Sequence, residues 1–202
     1  PTLPESRSWL MKRALGQAPI SLTELDRMLE RIADDPRPKG VILNIHGFAM
    51  PLANLQTLRG SITRLRAKGK RVICYAQSYS NAVYYVASVA DEIVLQPMGG
   101  VDTVGLRSEA TFLKNALDTV GVKLDSIAIS PFKGAFDQIT RTDMSPEGRA
   151  QLDWLLDSQF DIILQGIAEG RKRPVEAVKA MIDGAPYLDT EALAAGYVDA
   201  VE

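Results

Sequence analysis

The sequence predicts an α/β domain built on a mainly parallel sheet, and three observations carry that expectation. Segments of strand character alternate with segments of helical period along the chain. The strand segments are continuous apolar runs such as "VILNI" and "RVICYA", the pattern of strands covered on both faces. The connections between them are short and marked by glycine or proline. Composition agrees: the 202 residues are 46% apolar and 24% charged, enough material for one globular domain with a full core.

Taken in order, residues 1–19 are mixed and lack a strong period, so they are expected to form an arm that is flexible or docks elsewhere. Residues 20–202 are read as a single α/β domain, with no repeat or linker to divide it. "SLTELDRMLERIADD" opens with a capping box, Ser21 to Glu24, and places Leu22, Leu25, Met28, Leu29 and Ile32 at helical spacing. It stops before Pro36. "KGVILNIHG" reads as a strand buried on both faces, and "PLANLQTLRGSITRLRAKGK" as an amphipathic helix between Pro51 and Gly69. "RVICYAQ" is a second buried strand, "NAVYYVASVA" a compact apolar helix and "DEIVLQP" a third strand. "MGGVDTVGL" then suggests a glycine turn and a short strand. A helix is expected from about Thr111 to Thr119, and "KLDSIAIS" as a further strand. Ser145, Pro146 and Glu147 form the N-cap and first turn of a long helix that reaches about Gly170. Another helix starts near Pro174, and "DTEALAAGYVDAVE" gives a short helix, a stop at Gly196 and a last strand. This succession suits a doubly wound sheet and equally a spiral of β-β-α units, with a helical C-terminal part.

Charge and residue counts remove several function classes. A net charge of −2 supplies no basic field for nucleic acid or an anionic membrane surface. One cysteine, Cys74, excludes an internal disulfide and a thiolate zinc cluster, and its apolar run marks it as a buried, inert thiol. One histidine, His46, leaves little room for a His-rich metal site; at a strand end without an orienting acid it reads as structural. Gly99 and Gly100 lack the spacing of a phosphate loop and read as turn glycines. No cofactor or metal is expected.

Two candidates for chemistry remain. Ser80 precedes the compact apolar helix and reads first as its N-cap, with a nucleophile or oxyanion contact as the functional alternative. Lys133, in "SPFKGAF", stands in a small turn between aromatic residues with no acid beside it. An amine serves as a general base only in its neutral form, which desolvation favours, and Lys133 fits that need better than the chain's other lysines.

Together these residues resemble the signal peptide peptidase A (protease IV) family, Ser-Lys serine proteases of the crotonase/Clp-protease superfamily. The resembling pieces run from about Ile20 to the C-terminus: "KGVILNIHGFA", "GKRVICYA", "YSNAVYYVASVADEIVLQPMGGVDTVGL", "FKGAFDQITRTDMSPEGR" and "APYLDTEALAAGYVDAV". The match is to the amino-terminal, lysine-bearing half of the long two-domain members. It implies a crotonase/ClpP-like fold, with Lys133 as the general base of peptide-bond hydrolysis. In serine-bearing domains the nucleophile opens an S-G-G-Y-Y motif. Here the tyrosine pair is Tyr84-Tyr85, Asn81 stands at the serine position, and Ala82 and Val83 replace the glycines. The resemblance therefore implies that the nucleophilic serine lies on a second domain outside this chain and that this chain alone is inactive. The lysine turn is expected to be mobile without the domain that covers it. It implies further that the substrates are remnant signal peptides or other apolar segments and that the protein is a homo-oligomer. An anchor outside this chain would hold it at the bacterial inner membrane, facing the periplasm or extracytoplasmic side.

Three rival readings stand beside this one. The chain could be a non-catalytic scaffold of the same assembly. Ser80 and Lys133 could form a dyad within the chain, against which the serine's one-residue shift in register argues. A crotonase-like acyl-CoA enzyme would share the fold class but has no use for the lysine turn.

Overall fold

The computed structural model describes residues 20–47, 49–127 and 129–202. They form two compact units, one comprising the described residues from 20 to 105 and again from 163 to 202, the other Leu106–Ile162. The arm expected over residues 1–19 lies outside the described residues.

The first unit begins with helix α1 (Leu22–Asp34), whose capping box forms as the sequence predicts: Ser21 Oγ accepts from Glu24 N and the Glu24 carboxylate accepts from Ser21 N. Strand β1 (Gly40–Ile45), helix α2 (Leu52–Ala67), strand β2 (Arg71–Ser80), helix α3 (Asn81–Ala87) and strand β3 (Glu92–Asp102) follow. Helix α1 packs on α2, burying Leu22 and Leu29 beside Leu55, Leu58 and Ile62. β1, β2 and β3 are parallel neighbours in chain order, so the sheet has no reversal of strand order at which a doubly wound fold would switch direction. The α/β class and the largely parallel sheet expected from the sequence are thus observed.

The core lies under one face of that sheet. Val72, Cys74, Ala76, Ile93 and Leu95 are buried there, backed by Ile62 and Leu65 of α2. β1 departs from its expected burial on both faces. Its residues alternate between exposed and half-buried, and Ile42 is 69% exposed, because no described helix packs closely over β1. The expected glycine turn at 98–100 is instead a bulge within β3. Ala76 pairs with Leu95 and Ser78 with Gly100, so the intervening residues of β3 leave the register, with Met98 in the left-handed region at φ 63°.

Helix α4 (Lys114–Thr119), helix α5 (Asp137–Thr140) and the opening turns of helix α6 (Pro146–Arg171) belong to the second unit. α4 is shorter than the expected 111–119. The strand expected over 123–130 does not form among the described residues: 122–127 carry no regular structure and are exposed. An apolar run becomes a strand only when a neighbour accepts its backbone hydrogen bonds, and no described residue does so here. The rest of α6 returns to the first unit, followed by α7 (Val175–Asp183), β4 (Tyr187–Leu188), α8 (Asp189–Ala194) and β5 (Ala200–Val201). β4 and β5 both pair with β3, antiparallel and parallel respectively. Asp199 fastens this tail: its carboxylate accepts two hydrogen bonds from Arg171 at 2.8 Å and one from Ile93 N at 2.8 Å.

Candidate active site

Lys133 lies in the second unit, in a turn closed by Lys133 N donating to Ser130 O at 3.0 Å. The turn is tied to the start of α6 by a short polar chain. Asp137 N donates to Gly134 O at 3.0 Å, Ser145 Oγ donates to Asp137 Oδ2 at 3.0 Å, and Gly148 N donates to Ser145 Oγ at 3.1 Å. Ser145 thus caps α6 as expected and is buried. Gly134 lies close against the same polar chain. A Cβ there would stand 2.7 Å from Asp137 Oδ2, so the carboxylate bonded to Ser145 would have to shift.

The lysine borders two hollows. One, of about 600 Å³, is lined by Phe112, Phe132, Ala135, Met144 and Leu152 together with the acids Glu109 and Asp137. The other, of about 210 Å³, lies toward Ile127, Ile129 and Phe136. These walls are mostly apolar, and among the described residues Lys133 enters no ion pair. The expected desolvation is absent, however: Lys133 is exposed, as are Phe132 and Phe136 on either side of it. Its apolar neighbours in sequence face outward, so they do not close over the amine.

Ser80 and Asn81 belong to the first unit. Ser80 occupies the N-cap position of α3, but its hydroxyl accepts no bond from the helix amides. The residue is exposed at the end of β2, and the expected cap role is not filled. Asn81 turns its amide to the backbone instead, with Nδ2 donating to Gly105 O. Its Oδ1 and the Thr103 hydroxyl are buried and have no hydrogen-bond partner among the described residues. No sequence signal had marked Thr103, which is 0% exposed.

The tyrosine pair after Asn81 belongs to the core. Tyr84 OH donates to Tyr197 O at 2.7 Å, and Tyr85 lies under the Arg59 guanidinium, 4.3 Å from the ring centroid. Arg59 also donates to Tyr85 O, to Ser88 Oγ at 2.5 Å and to Gly166 O at 2.7 Å. Arg59 is 8% exposed, and sequence reasoning missed it because α2 carries two other arginines, Arg64 and Arg66, from which sequence alone does not separate it. His46 follows β1 and is exposed. No cluster of metal-ligating side chains is found among the described residues, and no described helix is long and apolar enough to cross a membrane.

Comparison with known proteins identifies the family and the fold. A family profile described as peptidase family S49 matches residues 64–202. Among curated proteins the chain is similar to Protease 4 of Haemophilus influenzae, 33% identical over 153 residues, 75% of this chain and 25% of that protein. It is also similar to the chloroplastic serine protease SPPA of Arabidopsis thaliana, 27% identical over 168 residues, 83% of this chain and 25% of that one. The chain therefore spans about a quarter of the length of these relatives. Among solved structures, the 1510-N membrane-bound stomatin-specific protease shares the fold with a TM-score of 0.53 at 15% identity, over 90% of this chain and 72% of that one. With the profile covering most of the sequence, the chain belongs to peptidase family S49.

Proposed function

We propose that this chain is the base-bearing domain of a Ser-Lys endopeptidase. Lys133 takes the proton of a serine hydroxyl carried on a second domain. That serine attacks a peptide carbonyl, the lysine hands the proton to the departing amine, and a water entering by the same route releases the acyl group. The substrates are remnant signal peptides or other apolar segments. The working protein is a homo-oligomer held at the bacterial inner membrane by an anchor outside this chain, with its site on the extracytoplasmic side.

One observation supports this reading above the others. Among the described residues Lys133 enters no ion pair and borders two largely apolar hollows whose walls also take in the Asp137 carboxylate, while the residue at the family's serine position, Asn81, is bound to the Gly105 carbonyl. A general base needs to be covered to hold its amine neutral, and Lys133 is exposed. On this reading the cover comes from the domain that brings the serine.

Replacing Lys133 with Ala in the full-length protein is expected to lower peptide cleavage about 10²–10⁴-fold while leaving assembly intact. Turnover equal to the wild type would favour the scaffold reading. A fluorophosphonate adduct on Ser80 of this chain, found by mass spectrometry, would instead move the nucleophile into the chain.

A further inference from the structure

The helix that lines the larger hollow continues beyond it as an open surface. Gly148, Gln151 and Leu152 of α6 form part of the wall beside Lys133. From Asp153 to Ile162 the same helix presents two adjacent rows to solvent, each at a spacing of four residues and spanning about 12 Å. Asp153, Asp157 and Asp161 form the first row and are all exposed. Among the described residues none of them enters an ion pair. Trp154 and Ile162 lead the second row, 73% and 37% exposed, with Leu155 beside them at 47%. Ser158 lies between them, and its hydroxyl is turned back onto Trp154 O at 2.7 Å, which leaves the row effectively apolar.

An exposed tryptophan beside two aliphatic side chains marks a surface that is covered in use. The aspartate row restricts the cover. It repels an anionic bilayer or a nucleic acid and attracts a chain with cations along one side. The ligand must therefore be both apolar and cationic. That is the chemistry of a secretory signal peptide, which joins a positively charged end to an apolar stretch.

We propose that the outer face of α6 from Asp153 to Ile162 is an exosite for the cationic, apolar peptide segment adjoining the bond to be cut. Trp154, Leu155 and Ile162 take the apolar side chains, and the three aspartates take the cations. The surface is continuous with the Lys133 hollow through Gln151 and Leu152, so a bound peptide runs along the helix into the site. This rests on the reading of Lys133 as part of a peptidase.

The test uses the full chain with Trp9→Phe, leaving Trp154 as its only tryptophan. Two synthetic probes are titrated, a Leu/Ala peptide led by a run of lysines and the same peptide led by glutamates. The lysine-led probe is expected to shift Trp154 emission to the blue and to bind about tenfold more tightly, a preference that fades with added salt. Replacing the three aspartates with Asn is expected to remove the preference. Equal affinity for both probes, a salt-insensitive preference, or a preference surviving in the Asn variant would overturn the proposal. So would a blue shift produced by raising protein concentration alone, which would make the ridge an interface between copies. Binding needs no turnover, so a null result removes the exosite alone, whereas unchanged turnover in Lys133→Ala removes the base alone.

Discussion

Two lysines show how far a side chain's sequence neighbours determine its surroundings. Lys133, flanked by aromatic residues, is exposed. Lys70, flanked by Gly69 and Arg71, is 8% exposed and donates to the carbonyls of Asp35 and Pro38. Burial is decided by what packs from elsewhere in the chain, which a local window does not contain. Cys74 is the opposite case, legible because a cysteine inside a continuous apolar strand has nowhere to lie but the core. It is 0% exposed, and burial pushes its thiol up from an ordinary 9.0 to about 12. Iodoacetamide at pH 8.5 is therefore expected to leave Cys74 of the native chain unmodified and to alkylate it fully after denaturation, read by mass. The folded state keeps a proton that the unfolded state loses near pH 9. The stability this group contributes is thus whole below pH 9 and declines as pH rises toward 12.

Whole elements were more legible than their contacts. The long helix after Ser145 followed from its cap and period, and α3 from its small, apolar composition. What "GIAEGR" did not disclose is why α6 carries Gly166 and Gly170 four residues apart. A Cβ at Gly170 would lie 2.4 Å from Ser88 O, and one at Gly166 would lie 2.4 Å from Tyr85 Cε2. These glycines let α6 approach the end of α3 closely enough for Arg59 to reach Tyr85 O, Ser88 Oγ and Gly166 O together. Alanine is the better helix former by about 1 kcal/mol, so Gly170→Ala would stabilise an isolated helix. In the folded chain it is expected to destabilise by about 1–3 kcal/mol, because the obstacle is backbone and cannot swing aside. Urea unfolding reads the sign directly. The segment 123–130 failed as a strand for a complementary reason: its apolar content was plain, but the absence of a pairing neighbour was not.

At the scale of the molecule, fold class and family were both legible, since alternation and a handful of motif residues survive without any knowledge of contacts. The last strand after Gly196 was legible as well, but β4 and the pairing of both short strands with β3 were not, since a two-residue strand leaves little periodic trace. Burial pushes the Asp199 carboxyl up, but the bonds from Arg171 and from Ile93 N outweigh it and hold the group below its ordinary 3.8. Its contribution to stability is present above pH 3.8 and is lost as pH falls through the lowered value. Asp199→Asn is therefore expected to cost roughly 1–2 kcal/mol at pH 7, and the gap to the wild type should narrow at pH 3 in parallel urea titrations. β1 carries a consequence of another kind. Its sequence "GVILNI" is apolar and uncharged, and on one side its backbone groups meet no strand among the described residues. Such a strip can recruit a like strip from another molecule, and Lys39 alone guards its entrance. The first failure of concentrated preparations would then be cross-β aggregation seeded at Ile42, well before the core itself melts.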